Sequence, residues 1–429
     1  MAKSHTLFPF ILITSLFFLW GFAHNLDPIL IPHLQKSFTL TTVQATLVDS
    51  AVFIAYFLMA LPAGFIMKKY GYKAGIITGL LVFALGSFLF IPAANTQQYA
   101  FFLIALFIIA CGLTILETAA NPYASSLGDP ATSTQRLNLA QSFNGLATTL
   151  APVIGARVIL TKGYTAAQLS AMTEEGRKLA LAAEAATVKM PYFILGSVLV
   201  LIAVIFAFTR LPAIQTNEGH VASKNIFHAF KHRHLTWSVV AQFFYVGAQV
   251  CVFSLFILYA PKAAGISEVK AADYLGLCGL AFLIGRFIGT YLMQYYSSAR
   301  LLAVYAVISM LLCLIAIWGG GGGGGGTGII TVYAVIGICF FMSIMFPTIF
   351  ALGIKELRGD TEFGSSLIIM SIVGGAVLPR IFGYISDVTG NIQYGYAVPL
   401  ACFAVVAYFG FKGHLVKMKQ EQLSVSTIL

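Results

Sequence analysis

Glu117 and Asn121 are polar side chains inside the otherwise apolar stretch FIIACGLTILETAANPYA, Phe107–Ala124. A charge in the apolar core of a membrane costs about 2.5–3.5 kcal/mol or more, so its presence indicates a function. Burial favours the protonated form of a carboxyl group, which can then exchange protons near neutral pH. We therefore predict that Glu117 carries protons; the alternative is a permanent structural pair with an arginine. Asn121 follows one helical turn later on the same face.

Two aspartates, Asp27 and Asp49, flank the connector between the first two predicted spans. Counted from the turn near Thr39 at about 1.5 Å per residue, they lie at similar depth, toward the opposite membrane surface from Glu117. Pro28 is predicted to break the helix beside Asp27, which would either expose backbone carbonyls to a ligand or produce a plain proline kink. We predict that Asp27, Asp49 and Glu117 couple transport to protons; alternatively, the aspartates and carbonyls hold a hard cation such as sodium. Four further ionisable groups are singled out within the predicted spans: His24, Arg157, Arg286 and Arg380.

Uncharged polar side chains recur at helical spacing in two further spans. RLNLAQSFNGLA places three amides at intervals of three residues, and AQFFYVGAQ places an amide, a phenol and an amide at i, i+3 and i+7. Each set shares one helix face. Amides both donate and accept hydrogen bonds, as the hydroxyl groups of a polar ligand require, although they also hold helices together. Asn138 shares the helix face of Gln141 and Asn144. The predicted substrate-binding residues are Glu117, Asn121, Gln141, Asn144, Gln242, Tyr245 and Gln249.

The elements that position these residues are membrane-spanning helices. The 429 residues are 59% hydrophobic and 9% charged, far from the composition of a soluble domain. Because a helix needs about 20 apolar residues to cross a bilayer, we predict an all-α membrane protein. Long continuous apolar runs argue against a transmembrane β-barrel. The twelve predicted spans are 7–32, 44–67, 74–94, 98–125, 137–160, 190–211, 235–261, 272–296, 300–318, 328–354, 362–386 and 393–412.

The net charge of +10 reflects membrane orientation, since the Lys and Arg residues occupy short connectors rather than one basic face. Nucleic acid is therefore not an expected partner. The connectors on the side of the N-terminus are the richer in basic residues, which predicts that both termini are cytoplasmic in a multi-pass protein of the cell's inner (plasma) membrane. The first apolar run lacks a small-residue cleavage site and is predicted to be a retained span. The six cysteines are predicted to be small buried hydrophobic residues.

The longest polar connectors divide the chain. Residues 212–234 separate six spans from six, so we predict an N-terminal half, 1–211, an interdomain linker, 212–234, and a C-terminal half, 235–429. Residues 163–189 are predicted to form an exposed amphipathic helix. The second, fifth, eighth and eleventh spans end in related glycine-containing segments, which indicates three-helix repeats. The glycine run Gly319–Gly326 is interpreted as a flexible loop without chemistry.

The repeats and the segment GFIMKKYGYK resemble the major facilitator superfamily, with a lysine, Lys68, where its loop signature usually has aspartate. FFLWGFAHNLDPILIP, LETAANPY, RLNLAQSFN, FFYVGAQ, FPTIFALGIKEL and SDVTGNIQ resemble the L-fucose/proton symporter family within it. The resemblance implies twelve helices in two six-helix halves, with Glu117 as the essential carboxylate and Asn144 as a sugar contact. The family's first-span acid would fall on Pro28, one residue after Asp27. A related branch handles glucose and galactose.

The sequence thus predicts a monosaccharide importer that works by alternating access and is coupled to protons. Sodium coupling is the alternative, and a nontransporting sugar sensor built on a carrier fold is a third hypothesis. No nucleophile with a base and no metal-ligand cluster is evident in the sequence, so an enzyme is not expected. We expect no cofactor beyond the co-transported ion, and the resemblance implies a monomer in the lipid bilayer.

Overall fold

Long apolar runs satisfy their backbone hydrogen bonds internally only as helices, and the computed structural model is helical throughout the residues it describes. These are residues 4–25, 38, 47–96, 98–159, 171–212, 226–319 and 328–416, and no strand occurs among them. The helices group into twelve membrane-length segments, numbered here as spans 1 to 12. The predicted all-α fold class is confirmed.

Six of these segments precede the linker. Span 1 is Ser4–His24, and spans 2 and 3 together form Leu47–Thr96. The remaining three are span 4 (Tyr99–Ser126), span 5 (Ser133–Ile159) and span 6 (Lys189–Phe208).

Six more follow it, several of them in two or three pieces. Span 7 is Arg233–Ser254 with Phe256–Ala264, span 8 is Glu268–Leu292, and span 9 is Ser298–Trp318. Span 10 is Gly328–Met342 with Met345–Gly353, and span 11 runs through Thr361–Met370, Ser371–Val373 and Gly374–Thr389. Span 12 runs through Ile392–Tyr396, Ala397–Tyr408 and Phe409–Gly413.

Gly71 separates spans 2 and 3. Its φ of 82° and ψ of 168° belong to a region that is essentially restricted to glycine. The helix is therefore kinked at this residue, within the segment GFIMKKYGYK.

Nine helices of the described residues are long and apolar enough to cross a membrane when judged by length and hydropathy alone. Spans 2 and 3 are joined in that count, and the apolar part of span 1, Phe8–His24, is shorter. Span 5 is not among these nine helices, because the amides of RLNLAQSFN make it less apolar. A span rich in polar groups is tolerated when those groups face protein rather than lipid.

Close helix approach in the N-terminal half depends on small residues. Gly112 of span 4 lies against the backbone of Phe83 in span 3, so a Cβ at this position would collide with it. Phe90 of span 3 stacks on Tyr192 of span 6 with a centroid distance of 3.7 Å and an interplanar angle of 3°. Spans 1 and 5 pack together, as do spans 9 and 12, 8 and 10, and 7 and 11.

Four spans make the principal contacts between the first six and the last six: span 2 packs against span 11, and span 5 packs against span 8. These are the four spans with related glycine-containing ends. We call the end of the bundle where residues 209–212 and 226–232 lie the linker end. Gly71 and the starts of spans 5 and 11 lie at this end.

Several predictions about connectors concern residues outside those that the structure describes. Gly320–Gly326 and the linker residues 213–225 lie outside them, as do Asp27 and Pro28. The end of the linker forms a short 3-10 helix, Ile226–Lys231, and span 7 already begins at Arg233.

Two smaller predictions fall on described residues. The amphipathic connector contains the helix Glu174–Ala186, whose Glu174 and Lys178 are exposed and 3.1 Å apart. All six cysteines are buried and unpaired, as expected of small apolar residues.

Candidate functional site

Glu117 lies on the buried face of span 4, with 9% of its surface exposed. The hydroxyl of Tyr56 on span 2 donates a hydrogen bond to Glu117 Oε1 at 2.6 Å. No Lys, Arg or His among the described residues forms an ion pair with Glu117, so permanent pairing with an arginine is not its role in this conformation. Tyr56 therefore supplies the polar partner that burial requires.

Asn121 and Gln141 connect span 4 to span 5. Asn121 Nδ2 donates to the backbone carbonyl of Glu117 at 2.9 Å, and Asn121 Oδ1 accepts from Gln141 Nε2 at 3.1 Å. Both amides are buried. The structure thus brings together three predicted site residues, Glu117, Asn121 and Gln141. The side-chain amides of Asn121 and Gln141 hold each other by a hydrogen bond.

Arg286 of span 8 reaches the same network from the other half of the bundle. Its Nη1 donates to the backbone carbonyl of Gln141 at 2.6 Å, and its Nε donates to the carbonyl of Ser343 at 2.8 Å. The guanidinium also lies 4.5 Å from the centroid of the Phe282 ring. Arg286 therefore joins span 5 to spans 8 and 10 through main-chain acceptors.

Asn144 lies at the interface of spans 5 and 1. Its Nδ2 donates to the carbonyl of Phe17 at 3.3 Å, and a Cβ on Gly21 would come within 2.6 Å of the same nitrogen. One turn further, Asn25 Nδ2 donates to Thr148 Oγ1 at 3.1 Å. Asn144 is half-buried, beside the end of span 1 that leads to Asp27.

The polar residues of span 7 are buried in the C-terminal half. Gln242 and Tyr245 are fully buried, and Gln249 is half-buried. Neither side-chain atom of the Gln242 amide has a hydrogen-bond partner among the described residues. A buried amide without a partner costs about 1–3 kcal/mol, which a polar ligand would recover. Tyr245 packs edge-on against Phe346 and lies within electrostatic reach of Arg286.

Neither predicted proton-loading aspartate has a described side chain. Asp27 lies outside the described residues, and Asp49 lies in the described helix of span 2 although its side chain is not described. The distance between them therefore stays a prediction. Arg157 lies in the described helix of span 5, but its side chain is not described. Arg380 is exposed on the surface of span 11.

Polar contacts close the bundle toward the linker end. Asn138 of span 5 donates to Thr348 Oγ1 of span 10 at 3.1 Å. Ser365 of span 11 donates from Oγ to the carbonyl of Thr118 on span 4 at 2.9 Å. Both bonds join the first six spans to the last six, within about three helical turns of the linker end. Asn138 thus links a helix of the N-terminal half to a helix of the C-terminal half by a side-chain hydrogen bond.

Lys68 is the residue that departs from the superfamily's loop signature, and it contacts span 11. Its Nζ lies 4.3 Å from the centroid of the Phe363 ring, and it attracts the buried carboxylate of Glu362 electrostatically. Tyr72 lies within electrostatic reach of the same carboxylate. Phe65 meets Phe363 edge-on at 5.1 Å. The cluster Phe65, Lys68, Tyr72, Glu362 and Phe363 is called the linker-end contact below.

Sequence reasoning missed two parts of this arrangement. Glu362 follows RGDT at the very start of span 11, and this acidic residue next to an apolar run was the available signal. Tyr56 lies in an apolar run, where a tyrosine looks like part of an aromatic wall. Its hydrogen bond to Glu117 depends on how spans 2 and 4 pack, which helix periodicity alone does not give.

Comparisons with known proteins agree with this architecture. The model of the Major Facilitator Superfamily matches residues 10–376. The chain is 43% identical over 409 residues to the L-fucose-proton symporter of Escherichia coli, covering 94% of this chain and 92% of that protein. It is 41% identical over 403 residues to a glucose/galactose transporter of Brucella abortus, covering 94% and 93%. A crystal structure of the transporter FucP in the outward conformation superposes with a TM-score of 0.87 at 42% identity, covering 94% and 98%.

Glu362→Gln should weaken the linker-end contact, because the amide keeps the size of the side chain and loses its attraction to Lys68. We expect the population with the linker end closed to fall about five-fold or more relative to the population with it open, since a partly buried attraction is worth at least the roughly 1 kcal/mol of an exposed ion pair. The measurement is the distance between spin labels attached to cysteines introduced at Tyr70 and Lys355, both exposed near the linker end. Glu175→Gln, on the exposed connector helix, is the matched control. An unchanged distance distribution in Glu362→Gln would contradict the role given to this pair.

Proposed function

Because this chain belongs to the major facilitator superfamily, within the family of the L-fucose/proton symporters, we propose that it imports a monosaccharide together with protons by alternating access. The observation that carries the proposal is Glu117, a buried carboxyl group without an ion-pair partner among the described residues, placed beside amides that reach both halves. Relatives named as an L-fucose-proton symporter and as a glucose/galactose transporter support a hexose or deoxyhexose as the substrate.

Residues 1–211 and 235–429 act as the two moving halves, joined by residues 212–234. With both termini in the cytoplasm and the protein in the inner membrane, the linker end faces the cytoplasm. The linker-end contact then closes the cytoplasmic side, so this conformation would take its sugar from outside. Similarity to a transporter solved in the outward conformation supports this orientation. A monomer suffices, since both halves belong to one chain.

The sugar binds between the halves. Hydroxyl groups need both donors and acceptors, and amides supply both. Gln242 is the best supported contact in the C-terminal half, because its buried amide lacks a partner among the described residues. The proposed substrate-binding residues are Glu117, Asn121, Gln141 and Asn144 in the N-terminal half and Gln242, Tyr245 and Gln249 in the C-terminal half.

Protons enter through Asp27 or Asp49 and are handed on to Glu117, whose proton release is tied to sugar movement. The alternative is that Asp27 and Asp49 hold sodium, since carboxylates and backbone carbonyls are the ligands that hard cations prefer. A comparison of Asp27→Asn with Asp49→Asn in pH-dependent uptake distinguishes which aspartate loads the ion.

The function is tested with the purified protein in lipid vesicles, using labelled L-fucose, glucose and galactose. An inward proton gradient should drive uphill accumulation of at least one of these sugars, and a protonophore should abolish it. If only a sodium gradient drives uptake, the protein is a sodium symporter. Saturable sugar binding without flux under either gradient would instead identify a sensor.

Glu117→Gln should abolish uphill accumulation while the protein still folds, because an amide of similar size cannot release a proton. The measurement is sugar uptake under an imposed pH gradient, with Glu175→Gln on the exposed connector helix as the control. Full uphill uptake by Glu117→Gln would show that the carboxylate has a structural role only.

Asn144→Ala should weaken sugar affinity by about 1–3 kcal/mol, the value of a buried polar contact. Sugar affinity is measured by titration calorimetry on purified protein. Asn95→Ala is the matched control: Asn95 accepts a hydrogen bond from Lys189 at 2.6 Å, at the end of the bundle opposite the linker. Equal affinities of Asn144→Ala and the unmodified protein would exclude Asn144 from the site.

A further inference from the structure

Tyr56 makes a polar contact that a tyrosine packed only for its aromatic ring would not need. Only 4% of its surface is exposed, and its hydroxyl donates to a carboxylate oxygen of Glu117. The 2.6 Å separation is in the range of a hydrogen bond between a hydroxyl and an ionised carboxylate. Such a bond is stronger than a bond between neutral groups, so it favours the ionised form of the acid.

We propose that Tyr56 is a positioning residue for the proton step: its hydroxyl stabilises ionised Glu117 and sets the pH range over which Glu117 releases its proton. The inference deepens the proposed function, on which its meaning for transport rests. The hydrogen bond and its effect on Glu117 can nevertheless be measured without sugar.

Other charged groups near this network are engaged elsewhere. Arg286 of span 8 approaches through Gln141 and donates to main-chain carbonyls. Lys68 of span 2 and Glu362 of span 11 attract each other at the linker-end contact. From span 5, Gln141 contributes an amide that bonds Asn121, and from span 11, Ser365 bonds the carbonyl of Thr118. Tyr56 is thus the titratable residue that hydrogen-bonds Glu117 within the described residues.

The same tyrosine links the carboxylate to the contact between the halves. Tyr56 and Lys68 lie on one continuous helix, and the linker end of that helix packs on span 11. Gly64, between them, approaches Ser366 so closely that a Cβ would collide with the serine hydroxyl. When Glu117 is protonated, the charge-assisted bond becomes a weaker neutral one. Protonation therefore loosens the attachment of span 2 to span 4, on the helix that must separate from span 11 for the linker end to open.

The direct test is an infrared pH titration of the purified protein without sugar. The protonated carboxyl band of Glu117 is identified by its loss in Glu117→Gln, and its midpoint pH is compared among variants. In Tyr56→Phe the midpoint should move up by about one pH unit, because ionised Glu117 loses its donor. Tyr123→Phe is the matched control, since Tyr123 donates at 2.9 Å to the carbonyl of Pro212 and leaves Glu117 untouched.

A second variant keeps the hydroxyl and changes only its donor strength. Replacement of Tyr56 by 3-fluorotyrosine gives a more acidic phenol, and the midpoint should move down rather than up. An unchanged midpoint in Tyr56→Phe, or an equal shift in Tyr123→Phe, would overturn the proposal.

The pH profile of sugar uptake gives the transport readout. Uptake by Tyr56→Phe should follow a profile displaced to higher pH by the same amount as the infrared midpoint. If the unmodified protein moves no sugar while the infrared shifts are as expected, the proposed function fails and the role of Tyr56 stands. If transport is normal and the midpoints coincide, the role of Tyr56 fails alone.

Discussion

A polar group inside a membrane protein must find its partner within the protein, and this constraint organises the molecule. Glu117 has no ion-pair partner among the described residues, and the hydroxyl of Tyr56 supplies its polar contact. Asn121 and Gln141 pair with each other, and Arg286 uses main-chain carbonyls. Each of these bonds joins different spans. The hydrogen bonds that satisfy the buried polar groups therefore also hold the helices together around the proposed site.

The same constraint explains which spans meet between the halves. Spans 2, 5, 8 and 11 form the principal contacts, and small residues allow their close approach. Gly64 meets Ser366, and Ser365 meets the carbonyl of Thr118. Without a hydrophobic driving force between helices, such contacts depend on packing and on single hydrogen bonds. An interface of this kind is tight when closed and loses few bonds when it opens.

The spans and the polar faces could be predicted from sequence, because hydropathy and helical periodicity are local properties. Asn121 and Gln141 were both predicted to be site residues, but the hydrogen bond between them depends on how spans 4 and 5 pack, which the sequence does not give. The partners of Arg286 could not be predicted, because every residue has a main-chain carbonyl and the sequence does not show which carbonyls lie nearby. The role of Glu362 was not predicted, because the residue lies at the edge of an apolar run. Its attraction to Lys68 also joins residues almost 300 positions apart in the sequence.

The kinds of contact differ with depth in a way that suits a carrier. Lys68 and Glu362 form their attraction at the linker end, where water can hydrate both charges once the halves separate. The two opposite charges attract each other while the linker end is closed, and water can compensate each charge once it opens. Removing one partner from a buried ion pair would leave an uncompensated charge and cost several kcal/mol. Deeper in the bundle Glu117 has a neutral phenol as its partner, so its own charge can change without stranding a cation beside it. The departure at Lys68 preserves this logic, because attraction between the halves depends on opposite charges and not on which half carries the acid.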